Sequence, residues 1–156
     1  MPAKLIWGRD HYVIKYSGAV SVDESVSVYG ELVGSPNFDD SRYGILDCRK
    51  IESVEYSEMD YKRHAAIAMS AAKIKEELRI ALVIPNETIE KSIRPFLESV
   101  SEKFQHKWER QIFRKYDEAV VWAASENPRA GGTIRVSPPP NPPIPSAPPS
   151  STQGAP

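Results

Sequence analysis

The stretch RIALVIP, residues 79–85, is apolar at every position from Ile80 to Ile84 and stops at a proline. An unbroken apolar run of this length is how a parallel strand reads when helices cover both of its faces. A second compact run, Tyr43 to Cys48, lies upstream and is too short and too well bounded for a helix. Between them the sequence predicts a loop and then a helix from about Ser57, whose hydroxyl can cap it, with Glu58 and Asp60 favourably placed in the first turn. Its inner face is read as Ile67, Ala71, Ile74 and Leu78, and the alanines at 65, 66, 68 and 72 permit close approach to a sheet. Downstream, Ile89, Ile93, Phe96, Leu97, Val100 and Phe104 keep helical spacing. Pro95 either kinks that helix or divides it. Trp108 to Phe113 reads as a further strand, and Asp117 as the cap of a last helix running through Val121 and Trp122.

Toward the amino terminus, Lys4 to Trp7 and His11 to Ser17 form a predicted hairpin turning at Gly8, Arg9 and Asp10. In its second arm Tyr12, Ile14 and Tyr16 alternate with Val13, Lys15 and Ser17, the period of a strand with one face better buried. Ser21 and Glu24 have capping-box spacing, and Val22, Val26, Tyr29 and Val33 mark a helix ending near Gly34. A polar loop, residues 36–42, follows. The order is β-β-α-β-α-β-α-β-α, which predicts an α/β fold: a mixed, largely parallel five-stranded sheet with flanking helices, its first strand antiparallel at or near an edge.

With 156 residues, 40% of them hydrophobic, the chain can build one domain with a real core. That domain is placed at 1–126. From Asn127 onward the composition turns to proline, as in SPPPNPPIPSAPPSSTQGAP, with no acid and no aromatic residue. Such text buries too little apolar surface to offset ordering entropy, so 127–156 is expected to be a disordered Pro-rich tail. The 20 basic and 21 acidic residues give a formal charge of -1, with no overall field to attract nucleic acid or an acidic membrane. The single cysteine, Cys48, rules out an internal disulfide. With no leader-like start and no apolar run near the ~18 residues of a span, a cytoplasmic protein without membrane insertion is expected.

Chemistry is thinly represented. His11, His64 and His106 fall in separate elements, away from the i+3 or i+4 histidine spacing of a metal site on a helix. Asp39, Asp40 and Asp47 could meet near one loop, though solvated loop acids are the simpler reading. Cys48 reads as an inert buried thiol. There is no G-x-S-x-G, no phosphate-cradling glycine run and no zinc signature. The expectation is a protein that is not an enzyme and needs no cofactor or metal.

Four segments carry a family resemblance: YVIKYSGAVSVDE at 12–24, YGILDCRKI at 43–51, RIALVIPNETIEKSIRPFLESV at 79–100 and QIFRKYDEAVVWAA at 111–124. In them the chain resembles the SpoIIAA-like class of small STAS-type proteins, which share architecture with CRAL-TRIO lipid-transfer domains. The resemblance covers roughly residues 4–125 and rests on apolar spacing with few fixed polar residues. It implies a regulatory or protein-interaction module in which the middle strand leads into an aspartate followed by serines at a helix start. Phosphorylation of a serine there controls binding to a partner protein. On that pattern Glu55 falls at the aspartate, Tyr56 at the expected phosphoserine and Ser57 one place further. Ser57 is thus both a plain helix cap and a possible phosphorylation position, with Glu52, Glu55, Glu58 and Asp60 near enough to repel a phosphate.

Two functional expectations follow. The first is binding of a protein partner through residues 52–63, with Glu55, Tyr56, Ser57, Met59 and Tyr61 as contacts. The second, implied by the CRAL-TRIO likeness, is a carrier or sensor of a small apolar ligand or lipid, with Phe96, Leu97, Val100 and Phe104 lining a cavity. Segments 48–57, 85–88 and 114–117 should gather at the carboxyl edge of the strands, where open parallel sheets usually meet their ligands. Oligomeric state is not legible in the sequence.

Overall fold

The computed structural model describes residues 3–103 and 108–125, so the tail expected at 127–156, the boundary at 126, Phe104 and His106 all lie outside the described residues. The elements are β1 (Ala3–Trp7), β2 (His11–Ser21), α1 (Val22–Val33), β3 (Tyr43–Glu55), α2 (Glu58–Ile74), β4 (Leu78–Val83), α3 (Glu87–Lys103), β5 (Trp108–Phe113) and α4 (Tyr116–Ala124), with a 3-10 turn at Pro36–Phe38. The strands form one sheet in the order β1-β2-β3-β4-β5. Only β1 is antiparallel, pairing Ala3 with Tyr16 and Trp7 with Tyr12. The remaining pairs, β2 with β3, β3 with β4 and β4 with β5, are parallel.

Parity along the strands explains the two layers. Tyr12, Ile14, Tyr16 and Val20 of β2, with Leu78, Ile80 and Leu82 of β4, pack in a large cluster against α1, α2 and α3. Val13, Ala81 and Val83 face the other way and join Phe113, Ala119 and Ala123 around α4. The apolar run at Ile80–Ile84 therefore arises because β4 has helices on both sides, and each of those five residues is buried.

Two strands are longer than the sequence predicts. β3 runs on to Glu55 through a segment read as loop, and β2 runs on to Ser21. They accompany one another past the end of β4 in a parallel ribbon, with register shifts between Lys15 and Ser17 and between Gly18 and Ala19. Gly18 takes a positive φ of 69° there, a backbone state that favours glycine. Gly44 in β3 is required for space, since a Cβ there would run into the ring of the buried Tyr12.

The helices show smaller corrections. The capping box of Ser21 and Glu24 is present, but the buried stripe of α1 is Val22, Ser25, Val28, Tyr29 and Leu32, with Val26 and Val33 only half-buried. On α2 the buried face is His64, Ala65, Ala68 and Ala71; Ile67 is half-buried, Ile74 is exposed, and Leu78 belongs to β4. The alanine side of α2 is the one that is buried, and Ile74 lies outside that face. Pro95 sits within one continuous α3, on its exposed side, where water can take up the carbonyl that proline leaves without a donor. The cap position of α4 is Lys115, without a side-chain bond; Asp117 lies in the first turn and its carboxylate accepts from the Glu118 N–H at 2.9 Å.

Candidate functional site

The carboxyl ends of β3 and β4 and the starts of α2 and α3 meet at one edge. β3 ends at Glu55, two residues before a reciprocal cap: Ser57 Oγ accepts from the Asp60 N–H at 3.2 Å, and the Asp60 carboxylate accepts from the Ser57 N–H at 2.8 Å. The capping read from Ser57 is thus present, with Asp60 completing it. This geometry satisfies two otherwise orphaned donors and fixes the angle at which the chain enters α2. The Tyr61 hydroxyl donates to the Ser92 carbonyl at 2.6 Å and pins α2 to α3. On the neighbouring turn Arg114 bonds Glu90 at 2.7 Å and the Ile84 carbonyl at 3.3 Å, tying β5 to the β4–α3 connection.

The five residues singled out for partner binding divide by exposure. Glu55, Ser57 and Met59 are exposed, Met59 at 68%. Tyr56 and Tyr61 are half-buried, with ring centroids 5.0 Å apart. The Tyr56 hydroxyl lies 3.0 Å from His64 Nδ1. Burial pushes the Tyr56 phenol up to about 12, opposed by a hydrogen bond from Ser25. Among these groups, then, three present themselves to solvent while two brace the junction from beneath.

His64, which the sequence reading weighs only as a metal ligand and sets aside, belongs to this junction. It is 8% exposed, stacks on Phe96 with centroids 4.2 Å apart, and meets the edge of Tyr29 at 5.6 Å. Burial, aided by the positive charge of Arg110, lowers its pKa to about 4, so the ring is neutral at physiological pH. Its Nε2 is buried without a hydrogen-bond partner. A signal was available: His64, Ala68 and Ala71 share the i, i+4, i+7 spacing of one helix face.

The two tyrosines help line a small pocket of about 60 Å³, its surface almost wholly apolar and drawn from β2, α1, β3, α2, β4 and α3, with Ser25, His64 and Phe96 among its lining residues. A cavity that holds a benzene ring is about 150 Å³, so this one is far too small for a lipid chain. Of the four residues expected to line a carrier cavity, Phe96 lines the pocket, Val100 is fully buried in the packed core, Leu97 is half-buried against that core, and Phe104 is not described. This packing does not favour the expectation of a carrier or sensor of a small apolar ligand or lipid.

Other candidates separate. Among the described residues no group of three or more histidine, cysteine or acidic side chains is placed to hold a metal ion. Asp47 is buried and held by Arg49 through Oδ1 at 2.9 Å and Oδ2 at 2.8 Å, while Asp39 and Asp40 lie exposed beyond the 3-10 turn. Burial would raise the Asp47 pKa, but the bonds from Arg49 hold it below the usual value. Cys48 is buried, and that burial, with Asp47 nearby, pushes its thiol up to about 12. No described helix is long and apolar enough to cross a membrane.

No known protein-family profile matches the chain, and no curated protein matches it in sequence. Solved structures do. The chain is similar to the anti-sigma factor antagonist SpoIIAA in its unphosphorylated form, at 12% identity over 76% of this chain and 94% of that one, with a TM-score of 0.47. It is also similar to a DUF3478-family protein with a SpoIIAA-like fold from Shewanella loihica, at 14% identity over 78% of this chain and 92% of that one, with a TM-score of 0.48. At these identities the likeness concerns the path of the chain, and no residue's role is carried across from it.

Proposed function

We propose that the protein is a non-catalytic regulatory module of STAS type that binds a protein partner through the β3–α2 junction, residues 52–63. The observation that carries this reading is Met59: an apolar side chain 68% exposed on the first turn of a helix whose entry is fixed by a reciprocal cap. Around it stand exposed Glu55, Ser57 and Glu58. An apolar knob between exposed acids on one side and exposed Lys62 and Arg63 at i+3 and i+4 on the other suits a partner with an apolar socket and a rim of mixed charge, the arrangement of a small interface with a central anchor. In this reading Tyr56 and Tyr61 hold the knob in place from below, and a phosphate on Ser57 would break the cap and add charge to the acidic rim.

The test is site-directed photo-crosslinking in the native host, with a benzophenone amino acid at position 59 and, as control, at the exposed Ser70. A single protein adduct from position 59 that is absent from position 70 is expected, and Met59→Asp should compete poorly for that partner. Absence of an adduct from positions 55, 57 and 59 alike would remove this face from consideration.

A further inference from the structure

We propose that the part of the sheet left open beside α4 is a docking surface for an acidic segment of a partner protein, held by Lys4, Lys15, Arg49 and Lys50. The sheet is unevenly covered: α1, α2 and α3 pack on one face, whereas α4 lies on the other and packs chiefly against β4 and β3. Strand register fixes what the open part carries. Val13 belongs to the α4 side, and Ile6 and Lys4 of β1 are the cross-strand partners of Val13 and Lys15, so all four share that face. Lys4 and Lys15 therefore stand directly opposite one another, an arrangement of like charges that destabilises a sheet. Farther along, the register shift after Lys15 makes Lys50 the partner of Ser17, which has the parity of Lys15. The bulge brings Lys50 to the same face as Arg49, whose guanidinium lies over the Tyr116 ring of α4, and both cations are exposed.

The charges on this face do not cancel. The carboxylate among them, Asp47, is buried and already held by Arg49, through Nε at 2.9 Å and Nη2 at 2.8 Å. That pair and the Tyr116 ring, 4.6 Å away, fix the guanidinium, while Nη1 is not used by Asp47. Among the described residues no acid lies within ion-pairing distance of Lys4, Lys15 or Lys50. Other acids stand at the borders: Glu52 in the next register shift, Glu55 beyond it, and Asp117 in the first turn of α4. They would repel a long polyanion continuing past the patch, so the surface suits a short segment with two or three carboxylates better than nucleic acid or a broad anionic membrane. Ile6, 37% exposed and two residues from Lys4 on the same face, offers that segment an apolar contact. The stretch 127–156 of this chain carries Arg129 and Arg135 and no acid, so it is not the complement. The inference is independent of the reading at the β3–α2 junction, because α2 packs on the opposite face.

The experiment is an NMR titration of the full chain with a short capped peptide of alternating aspartate and leucine and, separately, with the same peptide carrying asparagine for aspartate. The readouts are the backbone amide resonances of Lys4, Ile6, Lys15, Arg49 and Lys50. The aspartate peptide should give saturating shifts there and weaken about tenfold between low salt and ~0.5 M NaCl, with the asparagine peptide at least about tenfold weaker throughout. Lys15→Glu and Lys50→Glu, both at exposed positions, should each weaken binding at least about fivefold. Lys73→Glu makes the same change in net charge at the exposed end of α2 and should leave binding within about twofold. Equal binding of the two peptides, shifts that never saturate or that centre elsewhere, or an equal loss in Lys73→Glu would each overturn the proposal. Tighter binding of a short DNA duplex or of phosphatidylserine vesicles at these residues would overturn it too, as would shifts that grow with protein concentration alone, which assign the face to a second copy of this chain.

Discussion

The Tyr56 hydroxyl stands 3.0 Å from Nδ1 of His64, so the first residue beyond β3 is tied to the second turn of α2. The contact joins a half-buried tyrosine, one residue before the Ser57 cap, to the buried face of α2.

His64 makes stability depend on pH. Its folded pKa of about 4 lies below the ordinary value of 6.5 because burial penalises the charged ring. Above pH 6.5 the ring is neutral in both folded and unfolded chains, and its contribution is intact. As pH falls from 6.5 toward 4 the unfolded chain takes up a proton that the folded chain refuses, and stability drops by on the order of 3 kcal/mol in all. Urea unfolding of the native protein and of His64→Asn at pH 7.5, 6 and 5 should show the native curve falling more steeply; parallel curves would count against a buried neutral ring.

Ser57→Ala removes half of the reciprocal cap and should cost about 1 kcal/mol, measured by thermal or urea unfolding. Ser57→Asp keeps an acceptor at the same position and should stay within about 0.5 kcal/mol of the native protein. A loss of the same size in both would mean that the cap contributes little and that Ser57 matters for another reason.

Gly44→Ala should destabilise by about 1–3 kcal/mol, because the added methyl meets the ring of Tyr12, which is 1% exposed and unable to move aside. Gly8→Ala meets the ring of His11, which is half-buried near the hairpin turn and can rotate. The second substitution should be the milder by unfolding measurements, and the opposite order would sink this account of the packing.

Cys48 should be silent toward Ellman's reagent in the folded protein and react fully in guanidinium. Its thiol is 3% exposed and burial pushes its pKa to about 12, so almost no thiolate exists at pH 8. Rapid stoichiometric labelling of native protein would contradict both statements.

Much of the architecture was legible because local chemistry and tertiary packing agree. The run at Ile80–Ile84 announced its two covered faces, and Ser21 with Glu24 and Ser57 announced the helix starts. The second half of β3 was hidden. After Cys48 the sequence reads RKIESVE, and because the ribbon extends past β4 its exposed positions hold charged residues without the apolar continuity that marked the first half. Ile74 misled for the opposite reason: its spacing matches a helix stripe, yet the buried face of α2 is centred near Ala68, about 120° around the helix from Ile74 at ~100° per residue. At the junction, Met59 was legible as a residue of the helix start but its exposure was not, and the contact of Tyr56 is with a histidine eight residues away that nothing local signals.

The strands lie side by side in the order in which the chain makes them. An open parallel sheet builds its crevice for nucleotides where the strand order doubles back and successive crossovers part to opposite faces. Here the order never reverses, and α1, α2 and α3 all pack in the cluster on one face. No topological switch point opens among the described strands, so the sheet lacks the crevice that such a reversal forms between crossovers.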